Sequence, residues 1–230
     1  MTRSEIRYIV LRSIGNFLIL FAIFGVIATF GPVVMDEIKF QIVQYRGIHY
    51  TVAGVSVVKV NQQPISSSPG FASLLSGQKQ QVLVAPNIQF SVVIPKIGAS
   101  ARIFPNVDVT NENEFLSVLQ QGVAHAKGSV FPGMKGTTYL FAHSTDSWLD
   151  VSAYNAVFYL LKDMNPGDEI VIFFEGRRYN YTVSRIVISD PSDTSLLDNS
   201  HNSAEQLVLQ TCWPPGTTWK RLFVIAIPKK

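Results

Sequence analysis

Three side chains in this sequence have the types and positions that acyl-transfer chemistry needs. Cys212, the only cysteine among 230 residues, ends the apolar run "EQLVLQTC". Arg221 follows nine positions later and opens a second run, "RLFVIAI". His143 sits at the end of a third, "TTYLFAHS". A thiol attacks a carbonyl as the thiolate, so it needs a base or a positive charge nearby. An imidazole can take up the proton and return it to a leaving amine, while a guanidinium can hold substrate or an oxyanion. If the three runs are strands of one sheet ending at the same edge, all three groups meet at one rim. Taken singly, each has a plainer reading. A lone cysteine is usually a small buried hydrophobe, and a strand-end histidine is usually satisfied by one hydrogen bond.

The elements that must position these groups are mostly strands. Residues 90–97, 137–144, 169–176, 178–188, 205–212 and 221–227 read as strands, and Glu175-Gly176-Arg177 joins the third and fourth as a tight hairpin. Two short helices interrupt them. "NENEFLSVLQQG" places Phe115, Leu116 and Leu119 on one face with Gly122 as a stop, and "SAYNAVFYLLKDM" ends at the turn "NPGD". Many short strands and few helices indicate a mostly β fold, a barrel or sandwich with helical decoration.

The N-terminal part differs in kind. Apolar residues make up 47% of the chain and charged ones 15%, an excess traceable to Ile14–Met35, 22 residues without a charge. As a helix that stretch covers about 33 Å, enough to cross a bilayer core. Arg3, Arg7 and Arg12 precede it, and Asp36, Glu37 and Lys39 follow. The positive side stays in the cytoplasm, so residues 1–13 are expected inside, 14–35 in the membrane and the rest outside. A cleaved signal peptide is the rival, with a shorter apolar core and a small-x-small cleavage site. Residues 36–88 read as a spacer partly packed on a main domain at 89–230. The net charge of +3 is spread thinly, which argues against nucleic-acid binding.

The motifs around the three side chains resemble those of sortases, the membrane-anchored cysteine transpeptidases of bacteria. "LVLQTC", the nine-residue step to Arg221 and "RLFVIA" are similar to that family's active-site strand pair, whose pattern is approximately T-L-x-T-C. Leu209, Thr211 and Cys212 agree with it, whereas Val208 stands in the first threonine position. "GVAHAKGSVFPGMKGTTYLFAHS" resembles the segment leading to the family's catalytic histidine, with Ala142 where many members have glycine. "VVIPKIGASARIF" is similar to the opening strands, and the likeness covers roughly residues 89–228. The resemblance implies a sortase-type eight-stranded β-barrel behind one transmembrane helix. It implies Cys212 as nucleophile on a C-terminal LPxTG-like sorting signal, His143 as general acid and base, and Arg221 as substrate or oxyanion contact. The implied partners are secreted proteins bearing such a signal and an amine of peptidoglycan precursor or pilin; the lack of a second span leans towards wall attachment.

Thr211 and His125 are supporting candidates. Asp146 could orient His143, Trp148, Trp213 and Trp219 could wall a groove, and the polar stretch 189–205 could select the signal. No metal or other cofactor is expected: there is no CxxC, HExxH or EF-hand spacing, and Asp108, Glu112 and Glu114 alone make no calcium site. The competing readings are another cysteine acyl-transferase or cell-wall peptidase, and an exported β-barrel binding protein in which Cys212 is buried and inert.

Overall fold

The computed structural model describes residues 3–45, 49–53, 80–144, 157–198, 204–215 and 217–229. Helix α1 (Arg3–Tyr45) is followed by two short strands, β1 (His49–Val52) and β2 (Gln80–Leu83), which pair in parallel. Eight more strands follow: β3 (Phe90–Ile94), β4 (Ala99–Val107), β5 (Val123–Ala126), β6 (Thr137–Phe141), β7 (Glu169–Phe174), β8 (Arg177–Ser189), β9 (Gln206–Trp213) and β10 (Lys220–Pro228). They close into a barrel in the order β10-β8-β7-β3-β4-β5-β6-β9. The mostly β, eight-stranded closed barrel expected above is the observed architecture.

The pairings fix which ends of the strands lie together. β6 and β9 are parallel, β4 and β5 are parallel, and the other neighbours are antiparallel. β3, β6, β8 and β9 therefore run towards one end, here the upper rim, and β4, β5, β7 and β10 run away from it. Residues on both faces of several strands are buried, as in Phe90–Ile94 of β3, Thr137–Phe141 of β6 and Ile170–Phe173 of β7. That is why they read as continuous apolar runs rather than as alternation.

Some local structure departs from the sequence reading. β5 was not among the expected strands; its four residues, all buried, include His125 and lie in a stretch that reads as a glycine-rich turn. Helix α2 (Glu112–Leu119) forms as expected. The Asn111 side chain accepts the Glu114 N–H at 3.3 Å and its amide donates to the Glu114 carboxylate at 3.3 Å, a reciprocal cap. Gly122 does not cap it; Gln120 does. A Cβ at Gly122 would lie 2.6 Å from the Arg102 carbonyl oxygen, so glycine is needed where the chain enters β5 against β4. The second expected helix is, where described, a 3-10 turn at Tyr159–Asp163. Phe158, Leu161 and Met164 are buried at a spacing of three, which suits three residues per turn.

The β7–β8 hairpin turns through Glu175 and Gly176, with φ of 48° and 74°. Two successive left-handed residues make the type I′ turn that matches strand twist. β1 and β2 lie outside the barrel, where Val52, Leu83 and Ala85 cover Val93, Val171 and Phe173. α1 exposes apolar side chains all round, including Phe17, Leu18, Leu20, Phe21 and Phe24. Its stretch Arg3–Ile27 is long and apolar enough to span a membrane.

Candidate active site

Cys212 and Arg221 face each other across the β9–β10 ladder, in register. The strand order brings this about: β9 carries the thiol up to the rim, and β10 starts there. Arg221 Nη1 donates towards Cys212 Sγ at 3.5 Å and also reaches the carbonyl oxygens of Thr218 at 3.2 Å and Lys220 at 3.3 Å. The loop carbonyls thus hold the guanidinium in place while it faces the sulfur. Both residues are half-buried.

His143 approaches from the other side. β6 pairs with β9 in parallel, with Phe141 beside Gln210. Two contacts continue that pairing past the strand end: Ala142 N–H donates to the Gln210 carbonyl at 3.2 Å, and Thr211 Oγ1 donates to the Ala142 carbonyl at 3.0 Å. Carrying the register two residues beyond Phe141 sets His143 level with Cys212. The half-buried imidazole carrier and the thiol carrier therefore end on adjacent strands at the same height, with Arg221 on the next strand over. Sulfur, guanidinium and imidazole are the parts of a nucleophilic acyl-transfer site.

Thr211 points to the opposite face from Cys212. It is buried, and its hydroxyl ties the His143 segment to the Cys212 strand. His125 is also fully buried but belongs to a different network. Its Nδ1 accepts the Asn106 N–H at 3.3 Å, and its Nε2 lies 3.1 Å from the Val130 carbonyl oxygen and 3.0 Å from Ser129 Oγ. The ring stacks on Phe131 with centroids 4.6 Å apart. Burial holds its pKa below the ordinary histidine value, opposed by the Val130 contact. A neutral ring with hydrogen on Nε2 fits these partners, and none of these hydrogen bonds reaches Cys212 directly.

The structure adds two residues that sequence reading missed. Gln210 precedes Cys212 by two and so shares its face, and its amide oxygen accepts the hydroxyl of Tyr139. Burial pushes the Tyr139 phenol well above its usual range; Arg221 opposes this and Asp193 adds to it. Tyr139, Gln210, Arg221 and the Asp193 loop thus share one neighbourhood under the rim. Alternation along a strand puts Gln210 on the Cys212 face, but its contact with Tyr139 depends on the register between distant strands.

Other candidates fall elsewhere. Asp146 and Trp148 lie outside the described residues, as does part of the polar stretch 189–205. Trp213 packs on the core, and Trp219 is exposed. The Asp108 carboxylate, held near pKa 2, accepts from the Thr110 hydroxyl and N–H and pairs with Lys127 at 3.1 Å. An open cleft of about 1100 Å³ lies at the lower end, between the 131–134 loop and the β7–β8 hairpin, far from Cys212.

A family model described as "Sortase domain" matches residues 92–229. The chain belongs to the sortase family. Sortase D of Bacillus subtilis (strain 168) is 28% identical over 121 residues, 53% of this chain and 52% of the relative. The chain thus spans about half the length of that curated sortase. Among solved structures, sortase C1 of Streptococcus agalactiae superposes with a TM-score of 0.51 at 24% identity, covering 61% of this chain and 66% of that one. Sortase C-1 of Actinomyces oris gives 0.50 at 24% identity, covering 61% and 73%. At that identity the structural likenesses establish the sortase barrel and nothing finer.

Proposed function

We propose that this sortase is a membrane-anchored cysteine transpeptidase that cuts a C-terminal LPxTG-like sorting signal and passes the acyl group to an amine. The observation that carries the reading is the Arg221 guanidinium set 3.5 Å from the only thiol in the chain, on the rim where the His143 segment also ends. The Cys212 sulfur attacks the scissile carbonyl carbon, and the tetrahedral oxyanion lies within reach of Arg221. As the C–N bond breaks, His143 gives a proton to the departing amine, which leaves a thioacyl-enzyme. An amine of peptidoglycan precursor or pilin then attacks, gives its proton to His143 and expels the sulfur. No step in this scheme requires a metal or an organic cofactor. The apolar stretch of α1 and its arginine-rich start support an anchor with the N-terminus in the cytoplasm and the barrel outside.

The test uses the full chain in detergent with a fluorogenic LPxTG-type peptide library and oligoglycine or diaminopimelate-type amines. Cleavage plus an amine adduct is expected by mass spectrometry. Cys212→Ala should lower turnover by at least about a thousandfold and trap no thioester. Turnover that survives in Cys212→Ala would overturn the reading.

A further inference from the structure

α1 is continuous to Tyr45, and Glu37 stands two positions beyond the last residue of the apolar stretch, Met35. From there Glu37 reaches the barrel. Its Oε2 lies 2.8 Å from Lys162 Nζ and accepts the Tyr159 hydroxyl at 3.4 Å. Asp163 holds the same ammonium at 3.0 Å, and Lys162 Nζ sits 5.3 Å from the Tyr159 ring centroid.

Together with the neighbouring Lys162–Asp163 pair, the contact is more shielded than the other ion pairs among the described residues. The Lys162 and Glu37 side chains are 19% and 32% exposed, against 53% and 74% for Lys220–Asp190. An exposed pair contributes almost nothing; a partly covered one with a second carboxylate and a phenol is screened less. Burial opposes the charge on Lys162, but the hydrogen bonds to Glu37 and Asp163 outweigh it, and its pKa is raised.

Position gives the contact its meaning. The 3-10 turn Tyr159–Asp163 leads into the start of β7, and β7 starts at the end of the barrel where β6 and β9 finish. That is the end carrying Cys212. A helix rises about 1.5 Å per residue, so Glu37 stands only about 3 Å along the axis beyond Met35.

We propose that Glu37 and Lys162 dock the barrel onto the juxtamembrane turn of its own anchor, so that the Cys212 rim is held at the membrane surface and favours substrates tethered in that membrane. The inference rests on the anchor and transpeptidase readings above. Docking raises the effective concentration of a membrane-held signal at the rim and does nothing for a freely diffusing peptide.

The experiment uses the full chain in phosphatidylglycerol/phosphatidylethanolamine vesicles. Two probes share one sorting-signal sequence: a soluble peptide, and the same peptide extended by an apolar helix inserted in the vesicle. Glu37→Arg should lower kcat/KM for the tethered probe roughly tenfold and leave the soluble probe unchanged. Glu37→Arg combined with Lys162→Glu should restore it. An unchanged tethered-to-soluble ratio in Glu37→Arg, or no restoration in the pair, overturns the proposal.

A second arm does not depend on turnover. In the Cys212→Ala background, Glu37→Cys with Lys162→Cys should be joined by a short bismaleimide. Glu37→Cys with Glu175→Cys, at the opposite end of the barrel, should not. A chain that withstands carbonate extraction from the vesicles but gives no 37–162 product defeats docking alone. A chain released by carbonate defeats the anchor reading, and the proposal with it. A 37–162 product without turnover on either probe leaves docking supported and the transpeptidase reading overturned.

Discussion

Thr138 and Thr211 are both buried, on strands that pair with each other, and their hydroxyls have opposite fates. Thr138 Oγ1 has no hydrogen-bond partner among the described residues, whereas Thr211 Oγ1 holds the Ala142 carbonyl at 3.0 Å. Removing an unpaired buried hydroxyl removes a desolvation cost, so Thr138→Val should leave the urea midpoint unchanged or raise it. Thr211→Val keeps the shape but strips the donor, at a cost of about 1–3 kcal/mol. It should also lower kcat, because the Ala142 carbonyl is one residue from His143. Equal effects of the two substitutions on stability and kcat would sink this account. The same scale shows what sequence could reveal. Cys212, His143 and Arg221 stand out because each ends or begins an apolar run. Tyr139 and Gln210 do not, because their contact joins residues 71 positions apart and depends on strand register.

Among the elements, the lower loop between β5 and β6 carries a clear strain test. Gly133 has φ of 85°, and a Cβ there would lie 2.6 Å from the Tyr179 ring; Gly128 has φ of 89° with nothing within 4 Å. Gly133 N–H also donates to the Glu205 carboxylate at 3.1 Å, and the same oxygen accepts the Tyr181 hydroxyl at 2.9 Å. Alanine at either position meets the left-handed backbone penalty of roughly 1–2 kcal/mol. Gly133→Ala adds the ring clash, so its thermal midpoint should fall further than that of Gly128→Ala. Equal losses would mean that the ring simply moves aside. Long apolar strands such as β3, β6 and β10 were legible because burial on both faces leaves an unbroken run. β5 was not: four residues between Gly122 and Gly128, one of them a histidine, carry no period. The 3-10 turn read as a helix because its buried positions, three apart, also fit one helical face.

For the whole molecule, acid is the revealing variable. His125 sits in the barrel wall with its pKa depressed by burial. The unfolded chain therefore binds a proton below about pH 6.5 that the folded barrel refuses, so stability is full above that value and falls as pH drops through it. Urea midpoints at about pH 7.5 and about pH 5.5 should differ more for the native chain than for His125→Gln. An equal difference would mean that carboxylates alone set the acid limit. The barrel as a whole was legible through the family resemblance, while composition alone reached only a barrel or sandwich; strand order lies in pairings between distant residues, which no local pattern encodes. That order also has a temporal side. β9 lies between β6 and β10, and together β9 and β10 close the seam. A chain made from its N-terminus presents six barrel strands first, with β6 and β8 as raw edges. Cys212 and Arg221 arrive last, inside the two strands that shut the ring. A nascent chain therefore brings the thiol and the guanidinium together only when the ring has closed.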